Sequence, residues 1–291
     1  MRRRPVARTS GAKKPRPRKK AGFWSGNRLR YLFGSLFVVI LVAMILHYKE
    51  GLAFYLGFKS DKVLTISKEE KKQLSDVRNF QLLSKYEEKV IGFDISQYQG
   101  QIQWDKVGFV ENTYVLQFVF IRATAGKDGA DTCFKDNWAQ AKKHNLIRGA
   151  YHYYRPNENS LAQAENFIKR VKLAPGDLPP VLDIESLPKG QSIDSLKKGL
   201  RRWLEKVDKH YNVKPIIYSG EKYYNAFLKD EFSEYTFWIA NYNFFVEEIK
   251  DDWLFWQFTE SATVEGITGN VDINIFNGTP KQFGYLTIGE R

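Results

Sequence analysis

Pro180-Val181-Leu182-Asp183-Ile184-Glu185 reads as a buried strand that ends by presenting two carboxylates on one side. Side chains of an extended strand alternate between faces, so Asp183 and Glu185 share the face of Val181, while Leu182 and Ile184 take the other. At ~3.3 Å per residue their α-carbons stand about 6 to 7 Å apart, close enough for one charge to raise the other's pKa. Such a pair can hold one carboxyl protonated near neutral pH while its neighbour stays ionised, as a catalytic proton donor requires. Asp94, in Ile91-Gly92-Phe93-Asp94-Ile95-Ser96, and Asp272, in Asn270-Val271-Asp272-Ile273-Asn274, end similar apolar runs. A single strand-end Asp is as readily a turn former or a helix N-cap. The Asp-x-Glu pair fits capping less well, because Pro179, Pro180 and Pro188 already punctuate the segment.

Outward from this stretch, residues from about 90 onward alternate short apolar runs with helix-like stretches. Strands are expected at 91–95, 117–122, 147–153, 180–185, 214–218, 236–240, 253–258 and 271–276, and helices at 133–145, 160–171, 192–210 and 220–228. The first five strands alternate with helices and the last three follow one another closely, a β/α pattern that suits an irregular barrel. The expected site of a β/α barrel is the C-terminal mouth of its strands, where Asp94, Asp183 and Glu185 fall.

The charge is unevenly spread. The net charge is +12, yet residues 1–30 hold 12 Lys and Arg and no acid, which leaves 33 basic against 33 acidic residues in the remainder. A basic arm can bind nucleic acid, but the uncharged run Tyr31–Leu46, extendable to Tyr48, points to a membrane instead. It is at the short end of the ~17 to 25 residues that span a bilayer, and flanking basic residues stay in the cytoplasm. Residues 1–30 are expected as a cytoplasmic tail, 31–48 as a single-pass anchor in the lipid bilayer of the cytoplasmic membrane, and the rest outside, in a periplasm or on the cell surface. A cleaved signal peptide fits less well, since His47-Tyr48-Lys49-Glu50-Gly51 lacks a small-x-small site. Residues 49–89 read as a stalk, with Ser67-Lys68-Glu69-Glu70 as a capping box and Leu74, Val77, Phe80, Leu83 and Tyr86 at helical spacing. That helix can space, pack on the body, or self-associate with a copy of itself.

The pieces Gly92-Phe93-Asp94-Ile95-Ser96, Phe120-Ile121-Arg122-Ala123-Thr124, Gly149-Ala150-Tyr151-His152-Tyr153, Leu182-Asp183-Ile184-Glu185, Ile217-Tyr218-Ser219, Trp238-Ile239-Ala240-Asn241-Tyr242, Trp256-Gln257-Phe258 and Val271-Asp272-Ile273-Asn274 occur in this order over residues 90–279. In number, order and spacing they resemble glycoside hydrolase family 25, the muramidase-type lysozymes. The resemblance implies a flattened TIM-like β/α barrel of the α/β class with an acidic groove, peptidoglycan glycan strands as partner, and retaining cleavage of the β-1,4 bond after N-acetylmuramic acid. Carried over, Glu185 is the general acid/base, Asp183 orients or stabilises the intermediate, and Asp94 and Asp272 complete the acidic floor. The attacking group is an aspartate or the substrate's own acetamido oxygen. One departure is Ala125, where family members commonly carry an acid after Ala-Thr.

Aromatic residues make up 15% of the chain. Sugar rings stack on aromatic faces, and Tyr153, Tyr218, Trp238, Tyr242 and Trp256, with Gln257 beside the last, are the substrate-binding candidates. Phe93, Phe118, Phe120 and Phe255 read as core, and His152 as a hydrogen-bonded core histidine rather than a proton carrier. One cysteine and four scattered histidines exclude a disulfide framework, zinc spacing and a Cys/His nucleophile. No phosphate loop or Gly-x-Ser-x-Gly is present, and no metal or cofactor is expected. A catalytically weak glycan-binding scaffold, or a glycosidase of another specificity such as chitin, uses the same cleft.

Overall fold

The computed structural model describes residues 26–47 and 67–289. The basic arm up to residue 25 and the first part of the stalk, 48–66, lie outside the described residues. The chain divides into two compact units, Met1–Lys49 and Glu50–Arg291.

The first unit contains α1 (Gly26–His47), a 22-residue helix that carries the apolar run. Its described side chains, Phe33, Phe37 and Val39 among them, are exposed. Among the described residues no helix is long and apolar enough to cross a membrane; α1's side chains are described only in part, and a spanning role rests on the sequence.

The first described element of the second unit is α2 (Lys68–Lys85), started by the expected capping box: Glu70 N donates to Ser67 Oγ (3.1 Å) and Ser67 N to Glu70 Oε2 (2.8 Å). The stalk helix packs on the body. Its buried face is Ser75, Arg78, Asn79, Leu82 and Leu83, whereas Val77 and Phe80 of the expected apolar stripe remain exposed. Arg78 donates to the carbonyls of Phe258 (2.7 Å), Asn243 (3.1 Å) and Val246 (3.4 Å), so the docked face combines polar anchors on backbone with the burial of Leu82 and Leu83.

Eight strands close a barrel: β1 (Ile91–Ile95), β2 (Phe118–Ala125), β3 (Ile147–Tyr153), β4 (Val181–Asp183), β5 (Ile216–Gly220), β6 (Thr236–Ala240), β7 (Phe255–Ala262) and β8 (Val271–Phe276). Neighbours from β1 through β7 pair in parallel, and β8 runs antiparallel to both β7 and β1. The return strand places Asp272 directly opposite Asp94. Helices α3 (Phe134–Lys143), α4 (Ser160–Arg170) and α5 (Ile193–Tyr211) follow β2, β3 and β4. The helix expected over 220–228 is present, as one α-helical turn, Glu221–Tyr223, that continues as a π-helix, Tyr224–Leu228. Beyond the barrel, in the segment 280–291 expected as a C-terminal tail, Pro280–Leu286 forms α6, capped by Thr279.

Period-two alternation sorts the barrel side chains into two layers. Phe93, Ile121, Leu182, Ile217, Trp256 and Ile275 point outward into the layer under the helices. Phe118, Phe120, Val181, Ile216, Phe255 and Phe276 point inward. At the bottom Phe283 of α6 plugs the barrel, with ring centroids 5.2 Å from Phe118 and 5.0 Å from Phe276. Glycine is required where these rings crowd the wall: a Cβ on Gly92 would stand 2.5 Å from the Phe118 ring.

Candidate active site

The inward positions at the top of the same strands carry the polar residues. Asp94 on β1, Asp183 on β4, Gln257 on β7 and Asn274 on β8 are buried there, below Glu185 and Asp272. The strand expected over 180–185 ends at Asp183. Glu185 keeps to the inward side because Ile184 N still donates to Tyr218 O (3.0 Å) and Ser219 Oγ donates to Ile184 O (2.6 Å), which holds Ile184 in the outer layer. Glu185 is exposed, while Asp183 behind it is only 5% exposed.

Two amides converge on one oxygen of Asp94. Gln257 Nε2 and Asn274 Nδ2 donate to Oδ2 at 2.7 and 2.8 Å. Each amide is fixed in turn: Trp238 Nε1 donates to Asn274 Oδ1 (2.7 Å), and the hydroxyls of Tyr218 (2.7 Å) and Tyr242 donate to Gln257 Oε1. Every donor in this chain points toward Asp94, so the network favours its ionised form. A β-bulge follows Gln257 on β7, a device that re-aims side chains beside active sites.

Burial raises the pKa of all four carboxyls. For Asp94 the two amide donors work against burial; for Asp272 the Asp94 and Glu260 charges add to it. In the second pair, burial and then the charges of Glu185 and Asp94 lift Asp183 well above the carboxylate range, partly offset by Arg122. Glu185, though open to the cavities, is raised by the partial desolvation of the cleft and lowered by its hydrogen bond with Asp183. Asp183 Oδ1 is buried and has no hydrogen-bond partner.

Two cavities adjoin at these acids. The inner one, of about 210 Å³, is lined by Asp94, Asp183, Glu185 and Asp272 with Tyr153, Tyr218, Trp238 and Gln257. An outer trough of about 930 Å³ shares Glu185, Tyr218 and Asp272 and adds Tyr242. Five of the six substrate-binding candidates thus line the site, and Trp256 does not. It is an outward position of β7, fully buried, with its indole nitrogen donating to Asn241 O (2.9 Å). One residue of register separates it from Gln257 and inverts its role.

The inner cavity also contains Arg122, Tyr98 and Tyr151, which were not singled out from sequence. Arg122 Nε donates to Asp131 Oδ2 (3.0 Å), and its guanidinium lies 4.6 Å from the centre of the Tyr98 ring. The parity of β2, with Phe118 and Phe120 inward, already puts Arg122 on the site face. His152 is core as expected. It is fully buried between Thr124 Oγ1 (2.7 Å) and Gln163 Oε1 (3.1 Å), and burial lowers its pKa to about 3. Ala125 ends β2 opposite Tyr153 and Gly129. Among the described residues no cluster of His, Cys, Asp and Glu is arranged to hold a metal ion.

Residues 93–267 match the family model described as glycosyl hydrolases family 25. YegX of Escherichia coli K12 is 40% identical over 195 residues, 66% of this chain and 71% of that protein. Lysozyme M1 of Streptomyces globisporus is 32% identical over 205 residues, covering 65% of this chain and 68% of its own length. Among solved structures, a family 25 glycosyl hydrolase from Bacillus anthracis superposes with a TM-score of 0.61 at 30% identity, over 69% of this chain and 94% of that one.

Proposed function

The chain belongs to glycosyl hydrolase family 25 and is a glycosidase, and from that premise we propose that it is a membrane-anchored muramidase. It hydrolyses the β-1,4 bond between N-acetylmuramic acid and N-acetylglucosamine in peptidoglycan, with retention. The observation that carries this reading is the exposed Glu185 standing where the two cavities meet, with Asp183 buried behind it.

A sugar ring in the inner cavity and the next in the trough bring the linking oxygen to Glu185, which protonates it as the bond to C1 breaks. Asp183 Oδ1, lacking any protein partner, is suited to accept the N–H of the substrate's acetamido group and aim its carbonyl oxygen at C1. Glu185, now ionised, takes a proton from the water that resolves the intermediate. Asp94 and Asp272 hold sugar hydroxyls and that water at the floor.

The anchor reading is supported by the sequence, where 12 basic residues precede an apolar run at 31–48, the pattern of a cytoplasmic N-terminus with the catalytic unit outside. Membrane fractionation, and a reporter fused after Arg291 that is active only outside the cytoplasm, test it. A cytoplasmically active reporter refutes it.

Incubating the protein with purified peptidoglycan and identifying the new reducing-end sugar by mass spectrometry tests the activity. Muramic acid at the new end is expected. N-acetylglucosamine there would mean another bond, and no new end would favour the scaffold reading to which Ala125 lends weight.

A further inference from the structure

The family match begins at Phe93, and α2 lies before it. Yet Ser75 and Arg78 of α2 line the outer trough together with Glu185 and Asp272. We propose that α2 is a wall of the substrate groove: the trough between it and the loop 241–244 binds the glycan beyond the cleaved bond, so residues preceding the family domain set how much of a strand the enzyme holds. This rests on the glycosidase reading and adds a site on a segment that reading does not use.

Three observations support it. The trough has the chemistry of a sugar site, with the rings of Tyr223, Phe227 and Tyr242 beside the amides of Asn241 and Asn243 and the hydroxyl of Thr259. Aromatic faces with a few convergent polar groups are how glycans are held. At about 930 Å³ it is several times larger than the inner cavity and shares Glu185, Tyr218 and Asp272 with it, so it offers room for a glycan on the far side of Glu185.

The wall is also fixed to the loop that faces it. Arg78 holds the carbonyls of Asn243 and Val246, and the Tyr86 hydroxyl donates to Glu247 O (3.0 Å). The same loop carries Tyr242, whose hydroxyl reaches Gln257 and through it Asp94. Ser75 Oγ meets Ser261 Oγ, joining helix to β7 at the trough surface. A stalk that served only as a spacer would not bury Ser75, Arg78 and Asn79 against the catalytic strands.

The test uses the full chain and peptidoglycan oligomers of one and of three or more disaccharide repeats beyond the cleaved bond. Wild type is expected to cleave the longer oligomer with about tenfold higher kcat/KM, the equivalent of one further well-held ring. Ser75→Trp fills the trough from α2 and should bring that ratio close to one, chiefly through KM. Ser75→Met, flexible and smaller, should lower the ratio part-way and serves if the tryptophan variant fails to fold. A folded variant that keeps the wild-type ratio overturns the proposal. If wild type cleaves no glycan, the glycosidase reading fails separately. Calorimetric binding of long against short oligomers to the same variants then decides the trough, equal affinities in wild type counting against it.

Discussion

The lower half of the barrel interior, where Phe118, Phe120, Phe255 and Phe276 crowd around Phe283, and the upper half, where the acids meet, are built on the same strands: Phe120 and Arg122, Val181 and Asp183, Phe255 and Gln257, and Phe276 and Asp272 stand only two to four residues apart. Both obey one alternation rule. They differ in what each side chain does with its surroundings: the lower rings gain free energy from burial, whereas each upper carboxyl resists it and answers by binding a proton more tightly. The base gives the stability that lets the mouth stay electrostatically unfavourable.

The sharpest way to break that contrast is at Glu185. Glu185→Gln should lower glycan turnover by about 10² to 10⁴-fold while the melting temperature stays near wild type, because the side chain is exposed. Full activity in that variant would remove it as the proton donor. The converse change, Phe120→Ala, should destabilise by about 3 to 5 kcal/mol, since its ring is fully buried and stacks on Trp238 at 4.5 Å. Denaturant unfolding checks it, and a loss under ~1 kcal/mol would mean that the base is not what holds the barrel closed.

A third measurement addresses the strain directly. A carboxyl whose pKa is raised by folding contributes stability that is full below its unfolded value and lost as pH climbs through its folded value. His152 works in the opposite sense, since its pKa is lowered from 6.5 to about 3, but above pH 6.5 it is neutral in both states and drops out. Stability should therefore fall as pH rises above about 6.5. Asp183→Asn, which has no charge to bury, should flatten the fall by up to about 1.4 kcal/mol per pH unit, and a parallel decline in both proteins would contradict the assignment. The smallest effect is expected at Tyr218→Phe, which removes one of two hydroxyl donors on Gln257. About 0.5 to 1.5 kcal/mol is at stake, read as a several-fold rise in KM or fall in kcat.

Much of this was legible in the chain. Strands 91–95, 147–153, 236–240 and 271–276 match the residues that form them, because each is a buried run with sharp polar boundaries. The four acids were readable for the same reason: a charge at the end of an apolar run has little to do with packing. Trp256 was misjudged because it and Gln257 are both plausible sugar ligands, and only the register of β7 says which faces inward. The docked face of α2 was read only in part. Of the expected stripe Leu83 is buried and Tyr86 packs on the core while Val77 and Phe80 face out, and the helix is also held by Arg78 on carbonyls that no pattern in its own sequence reveals.

Asp94 belongs to the first barrel strand and Asn274 to the last, 180 positions later, and their hydrogen bond joins the two ends of the catalytic unit. The acids can therefore assemble only once β8 has been synthesised. Fragments that stop short of Val271 lack Asp272 and leave Asp94 without one of its two amides. Closing the barrel and completing the acidic site are thus one step.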